Sequence, residues 1–180
     1  DERCLRIIMK LSEYGVFQTP TLTINTFDSR RFYADPEWRE TYKDLPEAAE
    51  KDWMDGSIRL SANDVTENAM KFDEWSLSLV RTMHEEGVKI IAGTDTPIGY
   101  LTPGYSLHKE LELLSEAGLS NLEVLKSATI TPSEFFGLED KMGTIEAGML
   151  ADLVILNQNP LESISNTQDI HLVIAKGYIQ

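Results

Sequence analysis

The chain has 180 residues, about one domain's worth at roughly 150 per domain. Its 30 acidic residues against 16 basic ones leave a net charge of −14, which repels phosphate backbones and anionic lipid and argues against nucleic-acid and membrane partners. Apolar residues at 42% suffice for a packed core, no apolar run approaches the ~20 residues of a membrane span, and the single cysteine, Cys4, excludes an internal disulfide or a zinc site of paired thiolates.

The chain opens on Asp1 with no signal-peptide pattern, so it is expected to begin within a longer sequence or after processing, and its compartment stays unassigned. Cys4, Leu5, Ile8 and Leu11 recur at helical spacing up to Gly15, and Cys4 is expected as a small buried side chain of that helix. Val16 to Leu22 is short and β-rich, with Pro20 near its end, and reads as a strand. From about Asn25 to Ser61 periodicity fades into a long excursion of short helices, with Trp38, Tyr42 and Trp53 as anchors to the body or as walls of a lid.

Helical spacing returns from about Val65 to Glu86, with Ala69, Phe72, Leu77, Val80 and Met83 on one side. Gly87 ends it, and Val88 to Ala92 is a β-branched strand. The order helix, Gly-Val, strand thus occurs twice, at Gly15-Val16 and Gly87-Val88, which predicts a parallel α/β sheet or barrel. Tyr105 to Ala117 predicts a helix with Leu107, Leu111 and Leu114 on its core side. Ser120 with Glu123, and Thr131 with Glu134, have the form of capping boxes, the second with Pro132 at the first helical position. The style changes near Met142, where Gly143 and Gly148 punctuate turns before the strands Ala151 to Leu156 and Leu172 to Ala175.

Gly93-Thr94-Asp95-Thr96-Pro97 comes directly after the second strand. In parallel α/β folds the C-terminal strand ends form the active-site face, so Asp95 is placed there to bind a metal, act as general base or cap the next turn. The histidines His84, His108 and His171 match no local metal pattern. His84 suits a helix C-terminus, and His171 starts a late strand. His108 stands early in the helix after the Asp95 loop, where it can face the same side, while Glu110 and Glu112 read as solvent charge. No phosphate-binding glycine loop supports a nucleotide site.

Several segments, taken in order, resemble the amidohydrolase superfamily, most closely its imidazolonepropionase-like and prolidase-like hydrolases. Gly87 to Pro97 resembles the last barrel strand, Ser106 to Leu114 and Ala128 to Pro132 resemble the segments after that strand, and Gly143 to Val154 resembles the return to a small β domain. The resemblance is continuous over about residues 83–180 and weaker over 1–22. It implies a (β/α)8 barrel with one or two divalent metals, often zinc, that hydrolyses carbon–nitrogen bonds other than ordinary peptide bonds in small amides or cyclic amides. Asp95 matches the last-strand aspartate that binds metal and moves a proton, and His108 matches a histidine beside the substrate pocket. Asp152 lies in a matching motif and is expected to be structural.

The superfamily's H-x-H pair, bridging lysine or glutamate, and two later histidines have no counterpart here. The expected architecture is therefore α/β, the C-terminal part of such a barrel. Residues 1–141 are expected to supply its last two strands and helices, and residues 142–180 part of a β-sandwich-like appendage. The chain alone is expected to be inactive, with homo-oligomerisation left open. The competing reading is a non-catalytic truncated barrel segment that acts only by association.

Overall fold

The computed structural model describes residues 2–180, a mixed helix and strand fold. Helix α1 (Glu2–Glu13) leads to β1 (Phe17–Gln18), then to α2 (Leu22–Asn25), α3 (Phe27–Arg30), α4 (Pro36–Glu40), α5 (Glu47–Ser61) and the long α6 (Glu67–Glu85). Then come β2 (Lys89–Ile90), α7 (Tyr105–Glu116), α8 (Asn121–Ser127), α9 (Ile130–Phe136) and the strands β3 (Leu153–Leu156), β4 (Ile170–Ala175) and β5 (Tyr178–Ile179).

The two Gly-Val junctions are built alike. After α1, Gly15 takes a positive φ and Val16 N–H reaches back to Leu11 O at 2.8 Å; after α6, Gly87 does the same and Val88 N–H reaches Met83 O at 2.9 Å. This left-handed stop satisfies orphan carbonyls at the helix end and turns the chain into the strand. The two strands pair in parallel, Phe17 opposite Lys89 and Gln18 opposite Ile90, and Ile91 N–H extends the ladder to Gln18 O at 2.8 Å. Both strands are shorter than expected. Pro20 has no N–H to give and Thr21 is left-handed (φ 46°), so the β1 segment ends early and Leu22 opens a helix instead.

The main core gathers Ile8, Leu22, Val80, Met83, Val88, Ile90, Leu111, Leu113, Leu114, Ala117, Leu119, Val124 and Ile164. Ile164 reaches it from a 3₁₀ turn (Ile164–Gln168) in the tail, so α7 is packed on one side by the tail. The tail itself is an antiparallel sheet in the order β3-β4-β5. Asp152 closes it locally, its carboxylate accepting Lys176 N–H at 2.6 Å.

Several expectations fail at the side-chain level, three of them away from α7. Cys4 is exposed, because the core side of α1 is taken by the buried Ile8 with the partly buried Leu11 beside the core. Phe72 is 46% exposed and stacks on Trp75, because the inward face of α6 is taken by Asp73, Ser76, Val80 and Met83. The second capping box does not form: α9 starts one residue before Thr131, and its N-cap Thr129 makes no side-chain capping bond, its hydroxyl donating instead to Leu125 O at 2.8 Å. The first box does form, with Ser120 and Glu123 exchanging both bonds.

Asp73 is turned inward by an ion-pair network. Arg30 on α3 grips it through Nε (2.5 Å) and Nη2 (3.0 Å) and holds Glu116 on α7 with two further bonds of 2.7 and 3.0 Å; Ser29 Oγ donates to the same Asp73 at 2.6 Å. Burial pushes the Asp73 carboxyl up, and the Arg30 guanidinium and Ser29 hydroxyl more than offset it, holding it below the usual carboxylate value. Arg30→Leu leaves a nearly buried carboxylate without its cation and is expected to cost about 2–3 kcal/mol of stability, short of the figure for a fully buried pair because Arg30 is partly exposed. Since the folded pKa is depressed, Asp73 contributes stability above its unfolded value near ~3.9, and that contribution is lost as pH falls through the folded value. Denaturant melts across pH 2–7 should show the gap between the protein and Asp73→Asn full at neutral pH and closing below about pH 4.

Candidate functional site

Because β1 and β2 run parallel, the segments leaving Gln18 and Ile90 emerge from the same end of the sheet. That end is where open and closed parallel sheets collect their functional groups. Ala92 N–H bonds Ser127 O at 2.9 Å, tying the end of the β2 segment to α8, and from Gly93 onward the chain is loop. Gly93 is required there by a close approach: a Cβ would lie 2.6 Å from the Thr19 methyl on the β1 side.

Asp95 sits on that loop, exposed, in the left-handed region at φ 58°, which aspartate tolerates better than most residues. Its backbone carbonyl accepts Ile98 N–H at 3.3 Å. Its carboxylate makes no hydrogen bond or ion pair among the described residues, so it does not act as the turn's cap. The loop around it is nevertheless fastened. Thr96 Oγ1 donates to Leu101 O, Leu101 N–H to Ile98 O at 3.2 Å, and Trp38 Nε1 to Tyr100 O at 2.9 Å.

The last bond brings in the excursion. Tyr100 packs its ring against Trp53 (5.8 Å), Tyr33 (6.1 Å) and Phe27 (6.3 Å), while Trp38 lies against Phe32 and Tyr105. Trp38, Tyr42 and Leu101 are the buried centre of this second cluster. The aromatics of residues 25–61 therefore anchor the excursion onto the loop that carries Asp95. Tyr100, which sequence reasoning passes over, is the meeting point; its position just after a glycine among spaced aromatics is the available signal. On α5, Gly56 faces this ring, and a Cβ there would stand 2.3 Å from Tyr100 Oη and 2.8 Å from Cζ. A mid-helix glycine normally gains up to about 1 kcal/mol on becoming alanine. Here the sign is expected to reverse, Gly56→Ala costing about 1–3 kcal/mol by overpacking against a rigid ring, as thermal or denaturant unfolding would show.

His108 and Glu110 part company on α7, since two positions along a helix lie about 160° apart around its axis. His108 faces the tail: its Nδ1 is 3.0 Å from Thr167 Oγ1, and nearby Gln168 donates to Glu112 at 2.9 Å. Burial lowers the His108 pKa, opposed by the Glu112 carboxylate. Glu110 is not solvent charge but fully buried, accepting Leu22 N–H (2.9 Å), Thr23 N–H (2.7 Å) and Thr23 Oγ1–H (2.6 Å) from α2. Burial pushes this carboxyl up, against the three donors. Glu112 is half-buried between Lys109 and Gln168. The structure brings no bond between Asp95 and His108. His84, on the last turn of α6, lies 3.3 Å from Glu123, and His171 is exposed on β4. Among the described residues no three His, Cys, Asp or Glu side chains gather as a metal-binding group. Asp95 suits one carboxylate ligand of a divalent ion, and the rest of such a ligand set is not assembled by these residues.

The amidohydrolase family model matches residues 41–179, a stretch that includes Asp95, its loop, α7 and the tail sheet. The chain belongs to the amidohydrolase family. It is 36% identical over 76 residues to 5'-deoxyadenosine deaminase of Methanobrevibacter smithii, covering 41% of this chain and 18% of that protein. It is 42% identical over 60 residues to imidazolonepropionase of Thermoplasma acidophilum, covering 32% of this chain and 15% of that one. Among solved structures it is similar to a Xaa-Pro dipeptidase with bound methionine in the active site, at a TM-score of 0.67 and 27% identity, over 96% of this chain and 36% of that chain. This amidohydrolase chain thus spans under a fifth of the curated relatives and about a third of the dipeptidase. Among the described residues, no helix is long and apolar enough to cross a membrane.

Proposed function

We propose that this chain is the C-terminal part of a (β/α)8 amidohydrolase barrel and that Asp95 is the catalytic carboxylate of a metal-dependent hydrolase of carbon–nitrogen bonds. Residues 1–141 supply the last two barrel strands with their helices, and residues 142–180 part of a β appendage. One observation carries the reading: within a family-matched segment, at the functional end of a parallel strand pair, Asp95 presents a carboxylate that no described group engages.

A divalent ion, zinc in the first instance, supplies Lewis-acid activation of water and of the substrate carbonyl when bound. The chain's own part is proton traffic. Asp95 Oδ takes the proton of the attacking water as the new C–O bond forms, and gives it to the nitrogen as the C–N bond breaks. The fastened loop from Thr96 to Leu101 keeps that oxygen in place, and the excursion behind Tyr100 walls the same end of the sheet. Thr167 fixes the His108 ring through Nδ1 and leaves Nε2 for a substrate group, so His108→Ala acts on substrate use and spares metal content.

The substrate class is a small amide or cyclic amide. The likeness to a dipeptidase adds Xaa-Pro dipeptides, whose scissile bond is a tertiary amide unlike an ordinary peptide bond. The test is a panel of cyclic amides, N-acyl amino acids and Xaa-Pro dipeptides, assayed with the complete barrel in the presence and absence of a chelator. Chelator-sensitive amine release from one class is expected; no turnover in any class, with zinc or manganese present, sinks the reading.

A further inference from the structure

Helix α2 begins without a cap of its own. Its N-cap residue, Thr21, is left-handed and makes no side-chain bond, so the first amides of the helix, those of Leu22 and Thr23, need an acceptor from elsewhere. Both residues are buried, and water cannot serve them. The acceptor is Glu110, 88 positions away in sequence, whose two oxygens take both amides and the Thr23 hydroxyl. An anion at a helix N-terminus is favourable, and three donors converging on two oxygens fit a carboxylate and no other side chain of that length.

What Glu110 fixes is the turn from Thr19 to Thr21. Asn25 Nδ2 donates to Pro20 O at 2.8 Å from within α2, so the turn is held to the same helix that Glu110 holds. Its other end is Thr19, whose methyl sits against Gly93, two residues before Asp95. We propose that Glu110 is a positioning residue: by capping α2 it sets the turn after β1, and through Thr19 on Gly93 that turn sets where Asp95 is presented. The inference rests on reading Asp95 as the site carboxylate.

The test uses the amide resonances of the protein and of its Glu110→Gln variant. Glutamine keeps the shape but turns an N–H toward a donor. Exchange at Leu22 and Thr23 is expected to quicken roughly tenfold to a hundredfold, the scale of losing a charge-assisted acceptor. The resonances of Gly93, Thr94 and Asp95 should shift or broaden, while exchange across Leu153–Leu156 and Ile170–Ala175 stays as it was. If residues 93–95 keep their resonances while Leu22 and Thr23 quicken, or if the β3–β4 sheet quickens as much, the positioning role is overturned. Should Glu110→Gln fail to fold, Thr23→Val removes one of the three donors at constant shape. The same pattern at smaller amplitude is then expected, and its absence from residues 93–95 overturns the proposal equally. None of these readouts needs turnover, so a failure of the catalytic reading would show separately, in the hydrolysis assay.

Discussion

These 180 residues on their own are expected neither to hold a catalytic metal nor to hydrolyse a carbon–nitrogen bond. A catalytic zinc typically takes three protein ligands and keeps one position open for water. Asp95 is one candidate. His84 lies beside Glu123 at the end of α6, His108 faces the tail and His171 is exposed on β4, and among the described residues no three His, Cys, Asp or Glu side chains gather as a ligand set. Two strands also cannot close a barrel, and apolar side chains such as Ile7, Phe72 and Trp75 stand about half exposed on α1 and α6, where further protein can cover them. Equilibrium dialysis of the chain against zinc or manganese, with a subsequent assay for amine release, should show no stoichiometric tight metal and no turnover. Stoichiometric metal with turnover would mean that the ligands lie elsewhere in the chain.

The parts of the fold legible in sequence are those set by local rules. Gly87 after an amphipathic run and the Ser120–Glu123 box each act within a few residues and appear as read, and the β-branched run after Gly87 does hold a strand, though only over Lys89–Ile90 of the Val88 to Ala92 expected. The features that sequence misreads depend on partners far along the chain. Leu22 continues an apolar, β-rich run, yet Pro20 and a left-handed Thr21 turn it into a helix whose first two amides are taken by Glu110. On α7 the leucine spacing points to Leu107 as core and Glu110 as solvent-facing, but Leu107 is 37% exposed and Glu110 fully buried. The buried stripe in fact runs through Ser106, Glu110, Leu113, Leu114 and Ala117, an equally good helical spacing that a pattern read from leucines alone passes over. Likewise Phe72 yields the inner face of α6 to Asp73, which the distant Arg30 and Ser29 make tolerable there. At the site, the position of Asp95 beyond a strand and the anchoring role of Trp38 and Trp53 are legible, whereas Tyr100 as the group they meet is not, because the contact spans a long excursion.

Asp95→Asn in the complete enzyme should lower turnover by about 10²-fold or more, the usual scale for removing a general base. Asparagine is nearly isosteric and tolerates the positive φ of this position as well as aspartate does, so the loop from Thr96 to Leu101 has no reason to move. The carboxylate makes no bond to any described group and is exposed, so folding stability should change by no more than about 0.5 kcal/mol. This combination separates a catalytic loss from a structural one. The decisive measurement is kcat for the protein and Asp95→Asn side by side, at saturating metal, with thermal midpoint and metal content recorded for both. An unchanged midpoint is expected, with turnover down by about two orders of magnitude or more. Near-normal turnover in a folded, metal-loaded Asp95→Asn would contradict the assignment of Asp95 as the catalytic carboxylate.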